Sequence, residues 1–496
     1  MDKPKLHLVV IPLLAQGHMI PMADLSLLLA ARGARISLIT TPLNAIRLRG
    51  VANVAADSGL PLRLVELPFP CADAGLPVGC ENVDLIPRED LFTPFFKSLN
   101  LLAEPLKLYL RAEPTGPTCI IADQCMPWAI DVACDLGLPR FVFQAPSCFF
   151  LLCTLNLSRH NFYQSATNWR EPFTVPELPD GVGRFQVTKL TAQRFFDWPG
   201  QDVVQRHVEK AEAAADGIVL NTFEALEPWC VQDYRRAAGK EVWPVGPVSG
   251  FHKDLAGKAS RGSDRGYIYA SGAAKWLEGR MQGSVMFVSF GSISLTRMRQ
   301  MVEIGEGLAA MGRPFIWAVK QAVKPAEKSE VGERWLSEFE KRTEGRGLVI
   351  RGWAPQALIL NHPAVAGFVT HCGWNSTVEA VEAGVVMATW PHLADQFLNE
   401  TLVVEVLGIG VRVGVKSPAY HLWGEEEVVL VGREMVRSAV ERVMDGGMEG
   451  DERRRRAAEL GEKARKAMEG GGSSFDNLNC LIEHATKLAA MKNFSM

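Results

Sequence analysis

Residues 353–396 read WAPQALILNHPAVAGFVTHCGWNSTVEAVEAGVVMATWPHLADQ, a run whose apolar pattern changes period several times. Within it, residues 367–370 form a short apolar run of strand character, His371, Cys372 and Gly373 follow, and a helical pattern starts near Asn375. A second apolar run occupies 386–390. Strand, glycine-bearing turn, helix and strand in that order predict one βαβ unit of a parallel sheet. A helix that starts directly after a strand aims its unpaired N–H groups and the positive end of its dipole at one spot, which suits a diphosphate. Asn375 and Ser376 add side-chain donors there. Ser376-x-x-Glu379 also has the form of a capping box, in which these residues only start the helix.

The same rhythm extends in both directions. Runs at 285–290, 314–319 and 347–351 read as strands and 296–311 as a helix, so the second half is one α/β domain. The first 250 residues alternate strand-like runs at 6–11, 34–40, 118–123, 140–143, 217–221 and 242–245 with helical stretches that include 19–32 and 127–136. Both halves open with strand, glycine-bearing turn and amphipathic helix, at 6–33 and 284–312, which predicts two similar folds. From about 247 to 274 the rhythm fails in a Gly-, Lys- and Ser-rich stretch containing KASRGSDRG. The expected organisation is a domain over 1–250, a linker over 251–274, a second domain over 275–472 and a last helix over 473–496. The run from Arg453 to Arg456 lies in a charged helical stretch and reads as a solvated face in preference to a phosphate site.

At 496 residues, 47% hydrophobic and 22% charged, the chain can bury two large cores. A net charge of −3 gives no general attraction to nucleic acid or anionic membranes. Ten cysteines without a Cys-x-x-Cys pair indicate neither a zinc site nor a disulfide framework, and fit buried thiols in the cytosol. The longest apolar runs, 6–15 and 148–157, fall short of the roughly 20 residues that span a bilayer. Gln16, Gly17 and His18 follow the first run without a cleavage pattern, so it reads as a buried strand and not a signal peptide. Matches to N-x-S/T at Asn156, Asn375, Asn399 and Asn493 then carry no meaning. GFHKDLAGK at 250–258 lacks the spacing of a P-loop, and Gly408-x-Gly410 lacks the third glycine of a dinucleotide fingerprint. Asp-x-Asp, a usual metal anchor for a nucleotide sugar, does not occur.

Some side chains have both a chemical and a plain structural reading. Trp353, just past a strand end, can stack on a flat ring or belong to the core. Glu379, one turn beyond Asn375, can accept from two vicinal hydroxyls, and Asp395 and Gln396 can take neighbouring sugar hydroxyls, although Asp395 serves equally as an N-cap. His18 follows the first strand and Asp123 ends another, both at strand carboxyl ends where open α/β sheets place their sites. Phe92, Phe149, Phe195 and Trp198 can line a cavity or fill a core.

The 44 residues from Trp353 to Gln396 resemble the signature of plant family-1 UDP-glycosyltransferases. AQGHMIPM at 15–22, FPCADAGLPVGCENVDLIP at 69–87 and FGS at 290–292 are similar to the same family. The resemblance implies an α/β GT-B fold, two Rossmann-like domains facing each other across a cleft. It implies Trp353 stacking on uracil beside the Ala354 backbone, Gln356 and Glu379 on the ribose, and His371, Asn375, Ser376 and Ser292 on the diphosphate. Trp374, Asp395 and Gln396 would face the sugar, His18 would be the general base, and Asp123 would orient it. Val386 stands where the family usually carries proline. The implied reaction is metal-free, cofactor-free glucosyl transfer from UDP-glucose to a small lipophilic flavonoid, terpenoid or steroid, by a cytoplasmic monomer. Another UDP-sugar, a non-catalytic binder and a nucleotide-sugar epimerase are the competing readings.

Overall fold

The computed structural model describes residues 6–165, 168–197, 201–262, 266–293, 297–320, 330–418 and 429–493. Trp198, Thr296 and residues 263–265 of the linker motif therefore lie outside the described residues. The chain forms two compact units, one of 1–148, 195–264 and 466–496, the other of 149–194 and 265–465.

The first unit is built on seven strands: β1 His7–Ile11, β2 Arg35–Thr40, β3 Leu62–Glu66, β4 Cys119–Asp123, β5 Arg140–Gln144, β6 Gly217–Leu220 and β7 Val242–Pro244. Their order is β3-β2-β1-β4-β5-β6-β7, every pairing parallel. The central strands are apolar along their length because both faces are buried, as in HLVVI and CIIAD. Helix α1, Gln16–Ala30, is buried on almost every side, so it is not the amphipathic helix expected from the sequence: it packs into the unit with no polar face. The helix Ser473–Asn493 caps the far edge, where Ser474 Oγ donates to the Gly246 carbonyl (2.6 Å) and Asn477 Nδ2 to that of Pro244 (2.9 Å). The composition-based linker is not structureless, for it carries helices Leu255–Ser260 and Gly266–Glu278.

The second unit carries six parallel strands: β8 Val285–Ser289, β9 Phe315–Val319, β10 Gly347–Arg351, β11 Val365–Thr370, β12 Val386–Thr389 and β13 Gly410–Arg412. Their order is β10-β9-β8-β11-β12-β13. Helix α2, Trp374–Ala383, follows β11, and α3, Gln396–Thr401, follows β12. The arginine run lies on the helix Met448–Met468, where Arg453, Arg454, Arg455 and Arg456 pair with Glu449, Asp451 and Glu452 at 2.6–2.8 Å; Arg455 and Arg456 face solvent as expected, whereas Arg453 is largely covered and also donates to the Arg442 carbonyl.

In each sheet the chain reverses its direction of travel between one pair of neighbouring strands, β1 and β4 in the first and β8 and β11 in the second. Loops leaving the carboxyl ends of such a pair splay apart and open a crevice, where α/β folds bind ligands. His18 and Asp123 belong to the first of these points, Ser292 and His371 to the second.

Candidate active site

In the first unit, β1 and β4 lie side by side with Ile11 opposite Ala122, so the loop after β1 faces the end of β4. That register brings His18, in the first turn of α1, to Asp123, the last residue of β4. His18 Nδ1 and Asp123 Oδ2 are 2.7 Å apart, with His18 9% and Asp123 1% exposed. Asp123 Oδ1 accepts from the Cys125 backbone N–H at 2.8 Å, which fixes the carboxylate plane. Burial, with help from the Asp123 charge and a hydrogen bond to it, pushes the Cys125 thiol well above its usual pKa. Among the described residues His18, Asp123 and Cys125 are a trio close enough to suggest a metal, their donor atoms lying within 4.8 Å of one another. The donor set fits a metal poorly. Two ligands of one tetrahedral zinc stand about 3.3 Å apart, and a thiol ligand must give up its proton. The 2.7 Å contact is a hydrogen bond, and the thiol is held protonated.

Phe195 lays its ring edge to face with His18 at 5.9 Å, and Phe96 connects it to Phe92 through centroid distances of 6.0 and 4.7 Å. Of the aromatic residues singled out from sequence, Phe195 and Phe92 thus belong to one wall beside the histidine. Phe149 is fully buried, with Phe185 at a centroid distance of 5.4 Å. The FPC…GCEN stretch braces α1, since buried Asn82 donates to Asn44 Oδ1 at 2.8 Å and contacts Met19 Sδ at 3.4 Å. Further along α1, Asp24 is completely buried between His252 Nε2 (2.9 Å) and Arg261 Nε (2.6 Å). Burial alone would raise this carboxyl, but Arg261 and His252 outweigh it and hold the pKa below the usual value. Gln16 Nε2 donates to the Gly262 carbonyl at 3.1 Å, so the helix bearing His18 is tied at two levels to residues 252–262.

In the second unit the turn after β11 is tight. Cys372 adopts a left-handed conformation, φ 64°, which a side chain disfavours, and Gly373 occupies the N-cap position of α2. The capping box expected at Ser376 and Glu379 is therefore not formed; both lie inside the helix, facing Gln356. Gln356 Nε2 donates to Ser376 Oγ at 3.0 Å and Glu379 Oε2 at 2.8 Å, so these three residues form one polar cluster. The His371 ring is packed between Gly291 and Gly373, and a Cβ at Gly291 would come within 2.7 Å of it. Its Nδ1 is sealed from solvent without a hydrogen bond, and burial lowers the pKa to about 4, so the imidazole is neutral at neutral pH. His392 is lowered to about 3, again mainly by burial. Ser292 receives the Lys320 ammonium on its backbone carbonyl. Trp353 and Ala354 are half-buried just past β10, whereas Trp374 is 3% exposed. Asn375 is half-buried in the first turn of α2.

The loop after β12 holds Asp395 and Gln396. Asp395 stands at the N-cap of α3, but its carboxylate makes no cap bond and instead accepts from Asn399 Nδ2 at 2.7 Å. Gln396 Oε1 accepts from the backbone N–H of His392 (2.8 Å) and Leu393 (3.1 Å), which leaves its NH2 as the end that can meet a ligand. The roles of Asn399, Cys125 and Asp24 carry no signal in the sequence, where Asn399 shows only as the start of an N-x-T match.

A family model described as UDP-glucoronosyl and UDP-glucosyl transferase matches residues 270–419. UDP-glycosyltransferase 73C5 of Arabidopsis thaliana is 43% identical over 98% of this chain and 98% of its own. Among solved structures, Glycyrrhiza uralensis UGT73P12 complexed with glycyrrhetinic acid 3-O-monoglucuronide superposes with a TM-score of 0.88 at 34% identity, covering 99% of this chain and 98% of that one. Phytolacca americana UGT2 complexed with UDP-2fluoro-glucose and pterostilbene gives 0.73 at 25% identity, covering 97% and 100%. With two parallel-sheet units, both candidate sites at strand carboxyl ends and relatives matched over nearly their whole length, the chain belongs to the plant family-1 UDP-glycosyltransferases of GT-B fold and is a glycosyltransferase.

Proposed function

We propose that this enzyme transfers glucose from UDP-glucose, with inversion, to a hydroxyl of a small lipophilic plant metabolite of the phenolic, triterpenoid or steroid kind, without a metal or further cofactor. The observation that carries the reading is the buried 2.7 Å hydrogen bond between His18 Nδ1 and Asp123 Oδ2. Asp123 keeps the proton on Nδ1, so Nε2 accepts the acceptor's proton as its oxygen attacks the anomeric carbon. The Asp123 charge then stabilises the imidazolium. The bond from the anomeric carbon to UDP breaks on the opposite face, giving a β-glucoside.

The donor half of the reading rests on the second unit. Gln356 and Glu379 would take the ribose, and Trp353 the uracil. Ser292, Asn375 and Ser376, with the first N–H groups of α2, would take the diphosphate; neutral His371 would add a hydrogen bond without a charge. The Gln396 NH2 and the Asp395 carboxylate would read the sugar hydroxyls, with buried Trp374 behind them. The fluoro-glucose nucleotide in the Phytolacca americana structure supports a glucosyl donor. The ten cysteines form no disulfide, which supports a cytosolic setting, and among the described residues no helix is long and apolar enough to cross a membrane.

The test is a mass-spectrometric screen of phenols, triterpenoids and steroids with UDP-glucose, UDP-galactose and UDP-glucuronic acid, each with and without EDTA. UDP-glucose is expected to give the highest kcat/KM and EDTA no change. His18→Ala should slow transfer by about 10²–10⁴-fold. Preference for another donor with every acceptor refutes the glucose assignment; a strict divalent-metal requirement refutes the account of how UDP departs.

A further inference from the structure

Four residues other than glycine adopt a left-handed backbone among the described residues, and two of them, Cys372 (φ 64°) and Ala394 (φ 52°), lie in the two loops assigned above to the donor. Such a conformation is strained in a residue with a Cβ and persists where surrounding structure enforces it. One side chain reaches both loops. Asn399 is completely buried on α3, and its Nδ2 lies 2.9 Å from the Cys372 carbonyl oxygen and 2.7 Å from Asp395 Oδ2. An amide nitrogen carries two hydrogens, one for each acceptor.

We infer that Asn399 is a positioning residue that couples the diphosphate-binding turn 371–373 to the sugar-reading residue Asp395. The bond to Cys372 holds the left-handed turn whose geometry sets the start of α2. The bond to Asp395 aims its carboxylate away from capping α3 and beside Gln396. A single buried amide thus sets the distance between the two donor subsites. Asn399 also begins an N-x-T match, and complete burial shows that its amide serves the fold and not glycosylation.

This inference rests on the donor-site reading above, and the experiment separates their failures. Asn399→Asp keeps the volume and replaces the donor by a carboxylate facing two acceptors; Asn399→Ala removes it. Two ratios, both independent of the folded fraction, are measured: the affinity of UDP over uridine by titration calorimetry, and kcat/KM for UDP-glucose over UDP-galactose. Each is expected to fall by about tenfold in both variants, the effect of one lost hydrogen bond to a charged or strained partner. The Asp variant should recover part of both ratios as pH falls, because a protonated carboxyl again donates. Unchanged ratios in the variants, or a loss confined to one of them, overturn the coupling. If wild-type protein shows no gain for UDP over uridine, the donor-site reading itself fails.

Discussion

Replacing Asp123 by asparagine tests the dyad more sharply than deleting either partner. The carboxylate accepts on both oxygens, from Cys125 N–H at 2.8 Å and from His18 Nδ1 at 2.7 Å. Asparagine has one oxygen. The Cys125 N–H belongs to the backbone and cannot turn away, so the oxygen should face it and the NH2 should face His18. With the amide reversed, a donor would meet the buried N–H, at a cost of about 1–3 kcal/mol, or roughly 5- to 150-fold in population. A donor opposite Nδ1 forces the imidazole proton onto Nε2, the nitrogen that must accept from the substrate. The expected loss in kcat is about 10³–10⁴-fold, the cost of the wrong tautomer in a dyad of this kind. The assay is initial-rate UDP release at saturating donor, with ¹⁵N shifts of the His18 ring to report the tautomer. UDP affinity should not change, because the residues proposed above for the donor belong to the other unit. An Asp123→Asn rate within tenfold of wild type refutes the reasoning.

Three further outcomes follow from individual contacts. Burial raises Glu400 from 4.5 to about 7, so the folded chain holds its proton more tightly than the unfolded one; stability is greatest below about pH 4.5 and is lost as pH rises through 7. Glu400→Gln should therefore raise stability at pH 8 by up to about 3 kcal/mol and little at pH 4.5, and an equal gain at both pH values in thermal unfolding refutes the assignment. Asp24→Asn leaves Arg261 and His252 buried beside a neutral amide and should destabilise the first unit by about 3–5 kcal/mol, read as a lower Tm; no change would show that the cluster is not ionic. Gly291→Ala puts a Cβ 2.7 Å from the His371 ring at a φ of 77°, so UDP affinity should fall by at least about tenfold in titration; wild-type affinity would remove His371 from the donor site.

Much of this was legible because it lies in continuous stretches. The strand, turn and helix around His371 fall within a few residues of one another, and a central parallel strand shows as a plain apolar run. Edge strands hid. LRLVE at β3 carries an arginine and an exposed glutamate, and β13 is three residues long and begins at Gly410, the second glycine of a pair that suggested only a failed dinucleotide motif. Contacts between distant residues were beyond periodicity altogether. Asp24 meets partners 228 and 237 positions away, and nothing in either segment marks the other. His18 and Asp123, 105 positions apart, were paired through strand ends and family resemblance, not spacing. Ser376 misled for a local reason: the left-handed Cys372 lets the helix begin earlier, at Trp374.

The helix Ser473–Asn493 has a consequence for the order in which the protein is made. It covers β7, with His484 against Trp243 and Phe141 at 5.1 and 6.0 Å, yet it leaves the ribosome after everything else in the sheet. Residues up to 264 complete the rest of the first unit, and 209 more must be added before position 473 appears. At about 5–20 residues per second this is a delay of roughly 10–40 s. Throughout it the terminal strand shows apolar side chains and the Pro244 and Gly246 carbonyls to solvent. The nascent first half is then a sheet with one raw edge, the kind of surface that chaperones hold and that pairs with its own copies when they are scarce.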